Sequence, residues 1–526
     1  MAETRYRIPR TAWASRTCGA SWRPDPPAAE QFRALASVAM EVAQREGAEY
    51  ADIRIGVQQF FSPPSIDVAL GYGVRARIGG TWGFQHGTLL TMDAVASAAR
   101  GAVRAARMSA TVNAKLGGEH QRELAPAPVV TGTWRSPVEI DPLAIPINDY
   151  SRILSSLRDQ IARFGWVETN FLLSWLIETR IFASTSGSLV TQEFTRGGVE
   201  GFQMNASLPD GDDNVQYMVP GAWQRSAGFE AALDPEISRH MLEAVETAIR
   251  WRELPTRQFL DVGRYPVVLD GGAMASLVAQ TANLALDTDR VAGFEADASG
   301  QSFLAPVTDI VRATTPAFAP LLTVASTRAV PSPTAVQWDD DGVVPDTYTV
   351  IDRGHVVDYH TTRETAPLLA DWYARRGMPL RSHGGAVAPT PASIPLACSG
   401  DLHVVPATTR TSIDDLLRDM THGFLILGGT GTAASSPNLT GGYLEPNTVI
   451  EVQRGKPTAR LGRLWMAFWT KSMLRTGLVA LGDASTLGNA RAMIHKGLPW
   501  ETFTHPVSAP AAYCKDIDVS RIDVSG

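Results

Sequence analysis

The stretch SLVAQTANLALDTDR, Ser276 to Arg290, sets polar groups inside an otherwise apolar run. Met274, Leu277, Val278, Thr281, Leu284 and Ala285 recur at three- and four-residue steps, the spacing of one helix face. Gln280 and Asn283 fall in the middle, and Asp287 and Asp289 close the segment. Periodicity alone describes a continuous core helix packed on a sheet. Whether these polar residues belong to an ordinary core helix or to a site is the question that the rest of the sequence must decide.

Other chemistry-bearing stretches are weaker. DRGHVVDYH puts Asp358 and His360 two apart, so a strand would show both on one face and turn His355 the other way. Two ligands make no zinc site without a third from elsewhere in the chain, which one of the scattered His383, His403, His422, His495 and His505 could supply. WDDDG, Trp338 to Gly342, lacks the remaining ligands of a calcium loop and reads as an exposed turn between strands. LGGTGTA, Leu427 to Ala433, is glycine-rich but is followed by neither Lys-Ser nor Lys-Thr, and reads as a flexible loop rather than a phosphate cradle. No GxSxG elbow and no HExxH occurs. Cys18, Cys398 and Cys514 form no CxxC pair.

The elements that must position these residues follow from patterning. EQFRALASVAMEVAQREG forms a helix with Phe32, Leu35, Val38, Ala39 and Val42 on one face. GVRARIGGTWGF is a hairpin turning at Gly79-Gly80. MDAVASAARGAVRAARMSA, DYSRILSSLRDQIARFG and PEISRHMLEAVETAIRWREL are further helices, with strands between about 166 and 205. The second half opens on a short buried strand in DVGRYPVVLDGG, and TSIDDLLRDMTHGFLIL is a helix running into a strand. Residues 380 to 410 form an ordered but irregular connection. This mixture of hairpins and helices indicates an α+β fold rather than a doubly wound sheet.

At 526 residues the chain is too long for one core. A net charge of −7 with a pI near 5.9 argues against a nucleic-acid partner. No apolar run approaches the roughly 20 residues that cross a membrane, and the first 30 residues or so form an irregular arm without the apolar core of a secretory signal. A cytoplasmic protein with reduced thiols is expected.

The segments GYGVRARIGGTWGF, IFASTSGSLVTQEFTRGG, GFEADASGQSFLAP, VQWDDDGVVPDTYTVIDRGHVVDYHTTRETA and GGYLEPNTVIEVQRGKPT, taken in this order and spacing, resemble the TldD/PmbA family of metallopeptidases over residues 35 to 520 or so. The resemblance implies two α+β domains, 31–257 and 258–526, each built on a large mixed or antiparallel sheet with flanking helices, after the arm at 1–30. It implies a dimer, commonly of one zinc-bearing TldD-type chain and one metal-free partner, that cuts unfolded or short peptides, often while maturing peptide natural products. Active relatives hold zinc through HExxxH on a helix and a late cysteine. On this alignment Ala279 stands for the first His, Gln280 for the Glu, Leu284 for the second His and Ile494 for the Cys, while Asp287 and Asp289 keep the acidic tail. Ala, Leu and Ile offer zinc no lone pair, and Gln cannot act as the carboxylate base.

The expectation is therefore a metal-free chain without cofactor, with zinc confined to a partner subunit where the dimer is heteromeric. It would bind an extended peptide by strand addition beside a TldD-type chain or a second copy of itself. The alternative is a biosynthetic enzyme with altered, metal-independent chemistry in a former peptidase cavity lined by Ala279, Gln280, Asn283, Leu284, His383 and His495. A relocated metal site using His355, Asp358 or His360 is the third possibility.

Overall fold

The computed structural model describes residues 26–521, apart from 116–122, 163–167, 208–213, 220–223, parts of 237–262, 305–315, 434–440, 462–464 and 471–472. The expected N-terminal arm and most of the helix expected over 235–254 lie outside the described residues. The first helix, α1 (Pro26–Arg45), begins earlier than its apolar pattern, because prolines are tolerated in a first helical turn. Its expected face is the packed one: Phe32, Leu35 and Ala39 are buried, and Val38 and Val42 are half-buried against the same cluster.

That cluster lies between α1, α2 (Met92–Lys115) and a seven-stranded sheet. The strands are β1 (Tyr50–Ser62), β2 (Ser65–Ile78), β3 (Thr81–Gly87), β4 (Thr131–Arg135), β5 (Glu168–Ser184), β6 (Leu189–Ser207) and β7 (Asn214–Val219). Their order is β3-β2-β1-β5-β6-β4, with β7 also on β6, and among the described residues only the β4–β6 pair is parallel. The β2–β3 hairpin turns at Gly79 and Gly80, both at positive φ, with Ile78 opposite Thr81. The expected third helix is α3 (Ile147–Ala162).

The second half begins with β8 (Thr256–Arg257) and β9 (Gly263–Leu269), followed by α4 (Gly271–Gln280), α5 (Ala282–Ala285) and α6 (Thr288–Val291). Then come β10 (Val324–Thr327), β11 (Tyr348–Asp352), β12 (His355–Val356), β13 (Ala386–Val387), β14 (Leu396–Ala397) and β15 (Asp401–Val404). The last group is β16 (His422–Leu427), β17 (Thr430–Ala433), β18 (Gly441–Glu445), β19 (Thr448–Gln453), β20 (Lys456–Leu461), β21 (Trp465–Thr470), β22 (Leu478–Leu481), β23 (Gly488–Lys496), β24 (Glu501–Ala509) and β25 (Ala512–Arg521). A ten-stranded sheet runs β17-β18-β21-β25-β9-β16-β19-β20-β8, with β22 on β25, and a six-stranded sheet runs β12-β11-β10-β15-β24-β23. The architecture is α+β with mixed sheets.

Helix α4 packs against β23 and β24 of one sheet and β17 of the other, which is why all ten of its residues are buried. Asp270 caps it, with Oδ1 accepting from Ala273 N at 2.7 Å and from Gly428 N at 2.9 Å. Small residues allow the close fit: a Cβ on Gly271 would stand 2.2 Å from the backbone nitrogen of Gly488.

Three expectations are corrected. The segment from Ser276 is not one helix but breaks at Thr281 (φ −121°, ψ −84°), whose Oγ1 donates to Leu277 O at 2.6 Å. WDDDG is not an exposed turn. Asp339, Asp340 and Asp341 are buried; Asp341 pairs with Arg75 at 2.7 Å and Asp340 with Arg180 at 2.6 Å, tying the loop to the first sheet. LGGTGTA is no free loop. It ends β16 and begins β17, and Gly429 O accepts from Ser276 Oγ at 2.7 Å.

Candidate functional site

The break at Thr281 has a geometric consequence. On a continuous helix, residues five apart point about 140° away from each other. Ala279 and Leu284 are five apart, so a continuous helix could not aim both at one point. The break redirects α5, and Leu284 packs against Ile494 of β23, with Phe303 beside them. Two of the positions assigned to metal ligands therefore meet in space, from segments 210 residues apart in sequence, and they meet as an apolar contact. Ala279 is fully buried in α4, and Gln280, also buried, lies against Gly431.

Asn283 turns its side chain to His505 on β24: Nδ2 is 2.8 Å from His505 Nδ1, and Ser399 Oγ is 2.7 Å from the same nitrogen. Cys398 Sγ lies 3.5 Å from His505 Nε2. Burial, followed by the charge of Lys496 and by His360, pushes His505 well below its ordinary value and keeps the imidazole neutral. Burial pushes the Cys398 thiol up to about 12, so it is a thiol rather than a thiolate.

The acidic tail is occupied. Lys496 Nζ lies 2.9 Å from Asp287 and 2.7 Å from Asp289, and donates to Ala397 O at 2.5 Å. Burial alone would lower the Lys496 pKa, but the two carboxylates raise it above its ordinary value. Burial raises Asp287 to about 7, against the pull of Lys496. The backbone registers this tail on the following segment, with His360 N donating to Leu286 O at 3.0 Å and Thr288 N to His360 O at 3.2 Å.

The remaining sequence candidates are dispersed. Strand alternation puts Ile494 and Lys496 inside and leaves His495 exposed, where it stacks on Trp500 and lies 3.1 Å from Thr502 Oγ1. His383 is buried one layer away, 3.0 Å from both Asp346 and Asp358 and stacked on Tyr348 at 4.0 Å; Tyr348 OH in turn meets His360 Nδ1 at 2.9 Å. Asp358 and His360 are buried while His355 is exposed, but the strand ends at Val356 and Tyr359 and Thr361 are buried as well, so strand alternation is not the cause. Among the described residues no three His, Cys, Asp or Glu side chains converge as a metal-binding group.

Ala279, Gln280, Asn283 and Leu284 are packed into the interior and line neither of two sizeable cavities formed by the described residues. The larger cavity, about 600 Å³, lies between β5–β6 and the second half, and touches this cluster only through Cys398 and Ser399. Asp289 borders a second cavity of about 390 Å³. Sequence reasoning missed Lys496, Ser399 and Arg328, and named His505 only among histidines that could supply a distant metal ligand. Of these, only Lys496 carried a local signal, being two residues from Ile494 on the same strand face.

The family described as PmbA/TldA metallopeptidase C-terminal domain matches residues 262–521. No curated protein matches. Among solved structures the chain is similar to TldE from Thermococcus kodakarensis, with TM-score 0.63 and 10% identity over 92% of this chain and 100% of that one. It is also similar to a protein of Thermotoga maritima described as a candidate modulator of a DNA gyrase, with TM-score 0.64 and 14% identity over 93% of this chain and all of the other. A counterpart from Bacteroides thetaiotaomicron gives 0.62 and 14% over 95% of this chain and all of its own. At such identities the structural likeness establishes the fold.

Proposed function

The chain belongs to the PmbA/TldD family, and from that premise we propose that it is a metal-free, peptide-binding subunit of a peptide-processing assembly. It pairs with a TldD-type zinc-bearing chain or with a second copy of itself, and its setting is the maturation of a peptide natural product. The observation that carries this reading is the packing of Leu284 on Ile494. The family's zinc does not fit the residues present: Ala279, Leu284 and Ile494 have no donor atoms, and Gln280 stands where the base would be. No reaction step is therefore assigned to a metal on this chain.

Peptide binding is supported by β23, the edge strand of the six-stranded sheet, whose Asn489, Ala490 and Arg491 line the larger cavity. An edge strand offers unpaired backbone groups to an extended peptide, and the cavity supplies pockets for its side chains. A second reading, metal-independent chemistry on this chain, is favoured by the meeting of Asn283, Ser399, Cys398 and His505 in the interior, where Ser399 and Cys398 also border the larger cavity.

Elemental analysis of protein purified natively through a tag on this chain tests both. Zinc found only with a co-purifying second chain supports the subunit reading. A metal-free homodimer moves the assignment to the second reading. About one zinc per chain in a lone homodimer overturns the alignment of the ligand positions.

A further inference from the structure

The larger cavity is lined by Arg180, Arg196, Arg225, Arg328 and Arg491. Arg180 is matched by Asp340 and Glu178, and Arg225 by Asp234. Arg196 and Arg328 have no carboxylate within ion-pair distance among the described residues. Arg328 is 8% exposed, and its Nη2 donates to Cys398 O at 3.0 Å and Ser399 O at 2.9 Å. Arg196 lies over the Phe194 ring at 4.5 Å and gives Nη1 to Pro333 O at 3.2 Å, while its buried Nε has no partner. Carbonyl oxygens satisfy a guanidinium N–H without neutralising the charge, and an unneutralised charge in a desolvated wall is costly.

The cavity's own acids supply only part of the missing charge. Burial and the neighbouring Asp341 raise Asp339 to about 8, and burial raises Asp401 to about 7. Asp340 is committed to Arg180. Burial, and then the like charges of Arg180, Arg328 and Arg491 working against the attraction of Glu178, push Arg196 down to about 10. Arg196 and Arg328 thus face each other's charge and that of Arg491 with no carboxylate in ion-pair contact with either among the described residues.

We propose that this cavity binds the carboxylate of an extended, peptide-derived ligand, with Arg196 and Arg328 as the anion-binding pair. The inference rests on the peptide-binding reading and deepens it. A peptide laid along the β23 edge runs past Arg491, and a carboxylate in the cavity meets planar, fixed guanidiniums that match its geometry. Carbonyl contacts already hold both side chains, so little rotamer freedom is lost on binding.

The test is isothermal titration of the whole natively purified protein with a six-residue Val/Thr peptide. The peptide is used as the free acid, as the C-terminal amide, and as the amide carrying one internal Asp. The free acid is expected to bind about tenfold tighter than the plain amide. Arg328→Gln and Arg196→Gln should each shrink that preference about fivefold. If the Asp-bearing amide binds as well as the free acid, the recognised carboxylate belongs to a side chain. Equal binding of acid and plain amide overturns the anion site but leaves peptide binding standing. Phosphate displacing the free acid while succinate does not would overturn the assignment to a carboxylate. If no peptide binds, the peptide reading falls. Succinate then judges the anion site by itself: binding lost in Arg328→Gln keeps it, and no binding removes it.

Discussion

Lys496 gives the sharpest test of the site's electrostatics. Its side chain is fully buried, as is that of Asp287, and Asp289 is 7% exposed. Lys496→Met preserves the volume of the stem and removes the ammonium, leaving two carboxylates facing each other in the interior. Deleting one partner of a buried ion pair costs about 3–5 kcal/mol, because the remaining charge is uncompensated. For a folding unit of roughly 250 residues each kcal/mol moves the melting midpoint by about 2 °C, so Tm should fall by about 6–10 °C. The triple variant Lys496→Met, Asp287→Asn, Asp289→Asn removes the charges together and should recover at least half of that loss. The single-variant penalty should also grow with pH. Burial already holds Asp287 near 7, and without Lys496 its folded-state pKa rises further. A carboxyl raised in the folded state stabilises while protonated and loses that stability as pH climbs through the raised value. Calorimetry at pH 6 and pH 8 reads all three effects. A single variant within about 2 °C of the parent, or a triple variant less stable than the single, would refute the argument that charge compensation rather than packing is at stake.

Two further outcomes are expected. Buried His505 stays neutral in the folded chain, whereas the unfolded chain takes up its proton near the ordinary histidine value of about 6.5. Its contribution is therefore present above that value and declines at about 1.4 kcal/mol per pH unit below it. Relative to His505→Gln, the parent should lose about 2 kcal/mol of its advantage between pH 7.5 and pH 5.0 in urea unfolding; an unchanged difference would mean that the folded chain takes up the His505 proton as readily as the unfolded one. Asp340→Asn removes the 2.6 Å charge pair with Arg180, which keeps Glu178. A loss of about 1.5–3 kcal/mol is expected, with faster proteolysis of the 327–342 loop, and no change in either would show that the pair does not hold that loop to the first sheet.

What could be read from the sequence divides along a physical line. The α1 face and the Gly79-Gly80 turn depend on neighbours in the chain, and local periodicity specified both. WDDDG was misread because its partners, Arg75 and Arg180, lie 266 and 160 residues away from Asp341 and Asp340. Acidic residues beside a glycine look solvated until those cations are in place. His505 comes from β24 and the adjacent Cys398 and Ser399 from the link between β14 and β15, and only the tertiary fold brings them to Asn283. The break at Thr281 was concealed for a subtler reason. Thr281 fits the helical stripe, and its hydroxyl hydrogen-bonds back to Leu277, so nothing in the apolar pattern marks an interruption. A ligand spacing of five carries the missing information, because two side chains five apart reach one point only if the helix between them yields. The HExxxH alignment that the resemblance implies would need a bend of the kind that periodicity does not show. The meeting of Leu284 with Ile494 is the contact that such a bend produces, even though neither residue can bind a metal.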